Sequence, residues 1–144
     1  MARLKLPDSV EKRNLLYGGK TPESTLVQLG EMYERDRRLA DALDFFAKAR
    51  HDAGIDRVKA WALEHGHSFL LLRVRRVGPR EIAPEEWLRA GEAAERQGRF
   101  QDALHCLQES GDAAKLEALR ERIRGQEVGG NGSPPPAAAP KPPI

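Results

Sequence analysis

Residues 24–49 read STLVQLGEMYERDRRLADALDFFAKA, and residues 85–110 read EEWLRAGEAAERQGRFQDALHCLQES. Set one over the other at an offset of 61, Gly30 meets Gly91, Glu31 meets Glu92, and Glu34-Arg35 meets Glu95-Arg96. Further on, Arg38 meets Arg99, and Asp41-Ala42-Leu43 meets Asp102-Ala103-Leu104. The replacements mostly keep character: Leu26 with Trp87, Leu39 with Phe100, Phe46 with Leu107. The chain therefore contains an internal repeat, the feature to establish before any other. In the first copy Leu26, Leu29, Met32 and Tyr33 recur at helical spacing up to the charged run 35–38, and Leu39, Ala42, Leu43, Phe46 and Ala49 form a second stripe. The second copy supplies Trp87, Gly91 and Ala94, then Phe100, Ala103, Leu104 and Leu107. Each copy is predicted to be two short antiparallel helices. Gly30 and Ala42 are small where the helices would approach, so larger neighbours can interlock around them. Gly98 falls where a left-handed residue would end the first helix of the second copy.

Working outward, residues 56–63 (DRVKAWAL) and 112–119 (DAAKLEAL) share Asp, Lys, Ala and Leu in register. A third helix is thus expected after each hairpin, making a three-helix module used twice. Ser110-Gly111-Asp112 reads as a helix stop followed by a fresh N-cap. In residues 66–78 (GHSFLLLRVRRVG), Leu70, Val74 and Val77 fit one helical face, while the apolar run 69–72 would also fit a buried strand. A lone strand would leave its backbone groups unpaired, so a short helix is the expectation. Another short helix is expected over 8–17, capping the stack with Leu15, Leu16 and Tyr17. No proline interrupts 23–78 or 85–133, which permits long helical stretches. Together these signals predict an all-α domain over 1–124, a right-handed stack of about six to eight short helices.

From Gly125 the composition changes to GQEVGGNGSPPPAAAPKPPI, which holds six of the ten prolines and almost no large apolar residues. Such a segment cannot bury enough surface to offset its ordering entropy, so 125–144 is read as a disordered Pro/Gly/Ala-rich tail, either a polyproline II ligand or a spacer. The whole chain has 144 residues, 40% apolar, 32% charged and 6% aromatic. Its mean hydropathy is −0.62. With no apolar run near about 18 residues and no leader-like stretch at the start, a soluble, cytoplasmic protein is expected and a membrane partner is not. Lys and Arg number 24 against 22 Asp and Glu, a net +2 that makes no electrostatic magnet for nucleic acid.

At the hairpins the chain resembles the tetratricopeptide repeat (TPR) family. The first copy supplies Leu26, Leu29-Gly30, Tyr33, Ala42, Phe46 and Ala49 at the family's spacings; the second supplies Trp87, Gly91, Ala103 and Leu107, with Ala90 and Ala94 where Leu and Tyr are usual. Neither copy ends with the family's proline, and the offset of 61 far exceeds the family period of about 34. The resemblance implies a TPR-like helical stack whose first helices line a concave groove. By register it makes Val27, Glu31 and Glu34, with Leu88, Glu92 and Glu95, partner-binding groove candidates. The family's chaperone-tail-binding members use Lys and Asn there, which disfavours that specific function. An acidic groove would take a basic or amphipathic protein segment. A plainer use of the same glutamates is also open, because Glu31–Arg35, Glu34–Arg38, Glu92–Arg96 and Glu95–Arg99 are helix-stabilising i,i+4 pairs.

Other chemistry is thin. His65-Gly66-His67 and His105-Cys106 lack the spacing of a metal site, and Cys106 aligns with Phe45 as a small packing residue. Gly18-Gly19-Lys20-Thr21 echoes the end of a phosphate loop, but Asn14 stands where its upstream glycine belongs. The basic run Arg73, Arg75, Arg76 and Arg80 is a candidate nucleic-acid contact, balanced by Glu81, Glu85 and Glu86. No catalytic residue, metal or cofactor is expected. The function expected is that of a protein–protein interaction adaptor or scaffold subunit. A self-associating structural subunit, with apolar end faces left uncovered by so short an array, and a nucleic-acid-binding helical repeat are the alternatives.

Overall fold

The computed structural model describes residues 5–129, with side chains through Gln126. Among them are eight helices and no strand: α1 Ser9–Tyr17, α2 Glu23–Arg35, α3 Leu39–Ala49, α4 Asp52–His65, α5 Ser68–Val77, α6 Pro84–Arg96, α7 Phe100–Ser110 and α8 Ala113–Gly129. The described residues are all-α, and within 66–78 residues Ser68–Val77 form helix α5 rather than a strand. Helix α8 runs past residue 124 to Gly129, and the rest of the proline-rich stretch lies outside the described residues.

Local chemistry explains the boundaries. Asp8 and Glu11 make a reciprocal capping box at α1, with Glu11 N–H donating to Asp8 Oδ1 (2.8 Å) and Asp8 N–H to Glu11 Oε1 (3.0 Å). Helix α6 opens with Pro84 in its first turn, while Glu86 Oε1 reaches back to the Ala83 N–H at 2.9 Å. Asp112 Oδ1 accepts from the Lys115 N–H at 3.0 Å and caps α8. The turns between paired helices recur at the repeat offset: Arg37 (φ 61°) corresponds to Gly98 (φ 75°), and Arg50 (φ 55°) to Gly111 (φ 81°).

The buried positions recur as well. Leu26 and Trp87, Leu29 and Ala90, Gly30 and Gly91, Tyr33 and Ala94, Ala42 and Ala103, Phe45 and Cys106, and Phe46 and Leu107 are all buried. Helices α2 with α3, and α6 with α7, make the most extensive pairs. Phe46 is the wedge of the N-terminal half, fully buried between Gly30 of α2 and Gly54 of α4. Tyr33 stacks on Phe45 with centroids 5.4 Å apart.

Two expectations are corrected. The helices expected over 56–63 and within 66–78 are both present, as α4 and α5, but they contact one another through the Gly66-His67 connection, so the grouping is by helix pairs and not by threes. Helices α2, α4, α6 and α8 begin at residues 23, 52, 84 and 113, intervals of 29, 32 and 29, so the offset of 61 spans two helix pairs. The third helices also repeat at 61 and not at 56. Asp56 lies inside α4 whereas Asp112 caps α8, and the equivalent packing positions are Ile55 and Leu116, Val58 and Leu119, and Ala62 and Ile123. Tyr17 is the second correction. It is 74% exposed and only Leu16 of its helix is buried, because the tyrosine ring turns outward beneath Lys48 Nζ (5.7 Å).

Helices α1, α3, α5 and α7 contact one another in succession, and α4 packs on α6. Lys12 Nζ ties α1 to α3, lying 2.5 Å from Asp41 and 2.9 Å from Asp44. At the C-terminal end Leu119 is buried with Ala94, Ala103 and Leu107, and Leu116 and Ile123 pack against that cluster. The other side of α8 exposes Lys115, Glu117, Arg120, Glu121 and Arg124. This end of the stack is therefore closed by a polar helix face rather than left apolar. No helix among the described residues is long and apolar enough to cross a membrane.

Candidate functional site

The six groove candidates lie on α2 and α6, and cross-helix contacts decide their state. Val27 is half-buried against the main core and Leu88 against the C-terminal cluster, so both are partly consumed in packing. Glu34 takes a bidentate pair from Arg57 of α4, with Nε at 2.9 Å and Nη2 at 3.0 Å. That hydrogen bonding holds the Arg57 guanidinium above its ordinary pKa, and the nearby Glu31 charge adds to the effect. Glu92 lies 3.8 Å from Lys115, and Glu95 pairs with Arg122, both of α8. Between these pairs, Lys59 of α4 sits 3.1 Å from Glu86 of α6.

None of the four i,i+4 Glu–Arg pairs forms an ion pair among the described residues; Glu34, Glu92 and Glu95 reach instead to the next even-numbered helix, and Glu31 makes no ion pair among the described residues. Arg38 and Arg99 turn to Asp41 and Asp102, again equivalent positions. The repeated glutamates thus do not make one open acidic groove. Glu92, Glu95, Arg96 and Arg122 share a single open depression, and its charges balance.

Asp102 joins two successive pairs. Its Oδ1 accepts from the Ser68 hydroxyl (2.5 Å) and the Ser68 N–H (3.3 Å) at the start of α5, and Arg99 pairs with its other oxygen. Burial pushes this carboxyl up, but Ser68 and Arg99 overrule it and its pKa lies below the usual range.

The remaining polar candidates have structural employment. His67 Nδ1 accepts the Leu70 N–H at 3.3 Å as a cap, and His65 stacks on Trp61 with centroids 4.1 Å apart. Among the described residues no three His, Cys, Asp or Glu side chains come together as a metal site would require. Burial pushes the Cys106 thiol up to about 12, leaving no thiolate near neutral pH. Thr21, at the end of the phosphate-loop echo, donates its hydroxyl to the Leu15 carbonyl at 2.8 Å.

The basic run is divided among other helices. Arg73 pairs with Asp44 of α3, Arg75 Nη1 lies 2.8 Å from Glu109 of α7, and Arg80 holds Asp52 (2.7 Å) and Asp56 (3.0 Å) of α4. The acids that neutralise it come from neighbouring helices, not from Glu81, Glu85 and Glu86. Only Arg76 of the four makes no ion pair among the described residues.

Sequence reading missed the outer face of α5. Leu70, Leu71 and Val74 are buried, while Phe69 is 58% exposed and shares the opposite face with Leu72 and Arg76. The signal was present in the run 69–72, which cannot bury every side chain on one face of a helix. Comparison with family models, with curated proteins and with solved structures yields no match.

Proposed function

We propose that this chain is a TPR-like helical-repeat adaptor or scaffold subunit, binding a partner protein through the surface of its stacked helix pairs and carrying no active site of its own. The observation that carries this reading is the repetition itself. Helix pairs begin at near-equal intervals, equivalent positions are buried, and equivalent turns adopt the left-handed conformation. A stack of such units builds extended surface, with each unit contacting its neighbours, and binding surface is what that architecture offers. The free, fully buried Cys106 fits a reducing compartment such as the cytoplasm.

The test is the state of the protein in its own cell extract. Tagged at its endogenous locus and sized by gel filtration, the chain should elute well above its own mass with a stoichiometric partner protein identified by mass spectrometry. Elution at monomer mass, or a larger size that collapses under nuclease, would overturn the proposal.

A further inference from the structure

The strongest unassigned feature is the outer face of α5. Phe69, Leu72, Arg73, Arg75 and Arg76 line a depression of about 410 Å3, within the range of small ligand pockets, about 300–1,000 Å3. Neighbouring helices shape it. Asp44 of α3 draws Arg73 to one side, and Glu109 of α7 draws Arg75 to the other, where its guanidinium lies 5.8 Å from the Trp87 ring centroid. The Phe69 ring is left 58% exposed and Arg76 is left exposed.

From these observations we infer that the α5 face is a docking site for an acidic amphipathic protein segment, one apolar side chain seated on Phe69 and Leu72 and one carboxylate met by Arg76. Charge complementarity fixes the class of partner. The depression is lined by three arginines and no acid, yet two of the arginines are already matched by Asp44 and Glu109. What remains is one cation, Arg76, beside an apolar surface. That complements a single carboxylate next to a large side chain. A nucleic-acid strand would require a row of free cations along its phosphates, and Arg73, Arg75 and Arg80 are all committed elsewhere.

This inference rests on the adaptor reading and specifies its surface. The test selects displayed random peptides of about twelve residues on the full chain, and in parallel on the F69A/R76E double variant. Both replaced side chains are exposed, so the variant should match the parent in far-UV circular dichroism and melting temperature. The wild-type selection should enrich peptides with Leu, Ile, Phe or Trp three or four positions from Asp or Glu. A synthetic consensus peptide, followed by fluorescence anisotropy, should lose about tenfold or more in affinity for F69A/R76E. Equal enrichment on both proteins, enrichment of basic peptides, or no enrichment would overturn the assignment. So would tighter binding of a short single-stranded RNA that R76E abolishes, which would make nucleic acid the occupant. If the endogenous chain has a partner protein and the selection still fails, the α5 surface alone falls; if both experiments fail, the adaptor reading falls with it.

Discussion

The seating of Phe46 gives a prediction whose size follows from the packing distances. A Cβ placed on Gly30 would lie 2.6 Å from Phe46 Cε1 and 2.8 Å from Cδ1. Carbon atoms in favourable contact stand about 3.5–4.0 Å apart, so the ring would have to retreat by about 1 Å. It has nowhere to go, because a Cβ on Gly54 would stand 2.6 Å from Cγ on the opposite side, and the ring is fully buried. Alanine in place of a helical glycine gains about 1 kcal/mol of helix propensity, while overpacking costs about 1–3 kcal/mol. G30A should therefore lose about 1 kcal/mol net. G54A should lose about 1–2 kcal/mol, because Gly54 sits in the first turn of α4 where the propensity gain is smaller.

Gly91 is the internal control. There a Cβ would meet Leu107 and Cys106 at 3.3 Å, close enough to need only a small adjustment. G91A should fall within about 0.5 kcal/mol of the parent, since propensity and crowding nearly cancel. Urea unfolding followed by far-UV circular dichroism measures each change as a shift in midpoint. F46L, which installs the residue found at the equivalent position 107, should relieve the crowding, so that G30A costs at least about 1 kcal/mol less in that background. A G30A or G54A protein more stable than the parent, or no coupling between positions 30 and 46, would refute the account of Phe46 as a wedge fixed between two helices.

Three further perturbations probe other parts of the stack. Gly98 has φ 75°, and a Cβ added there would find no atom within 4 Å, so G98A should cost about 1 kcal/mol of left-handed strain, whereas R37G should gain about 0.5 kcal/mol in the same unfolding assay. At Asp102 the folded pKa lies below the unfolded one, so its stabilising effect is complete above about pH 4 and is lost as pH falls through the folded value. D102N should destabilise by about 1–2 kcal/mol at pH 7, and the gap from wild type should narrow in acid midpoint measurements. Breaking the Glu34–Arg57 pair with E34R should cost about 0.5–1 kcal/mol, and adding R57E should restore most of it in a double-mutant cycle. Absence of restoration would show that the bidentate geometry contributes no specific coupling.

Sequence patterns disclosed the hairpins because the repeat preserved what the core needs: small residues at 30, 42, 91 and 103, and large ones at 46 and 107. The helix at 68–77 was legible for a related reason, since Leu70 and Val74 recur on one buried face. The register of the third helices escaped recognition because their match rested on Asp, Lys, Ala and Leu, residue types common on any helix. The true register pairs Ile55, Val58 and Ala62 with Leu116, Leu119 and Ile123, which share bulk and apolarity more than identity. The ion-pair partners of the repeated glutamates were not legible for another reason. Residues four apart on one helix are visible in a sequence as ion-pair partners, but Arg57, Lys115 and Arg122 come from helices whose neighbours only the tertiary fold determines.

Those cross-helix pairs bear on how so small-residued a core selects one arrangement. The C-terminal cluster is built on Ala94, Ala103, Leu107 and Leu119, and alanine faces tolerate sliding because they offer little relief for knobs to lock into. Charges supply the missing discrimination. Glu34–Arg57, Lys59–Glu86 and Glu95–Arg122 connect successive even-numbered helices, while Lys12–Asp41, Asp44–Arg73 and Arg75–Glu109 connect successive odd-numbered ones. Each partly exposed pair contributes at most about 1 kcal/mol. A slip of one turn would still forfeit several at once, even though Glu31, one turn from Glu34 on α2, would then meet Arg57. The near balance of 24 basic and 22 acidic residues thus works as a set of register marks between helices. On the exposed face of α5 that internal neutralisation leaves Arg76 without a pair among the described residues.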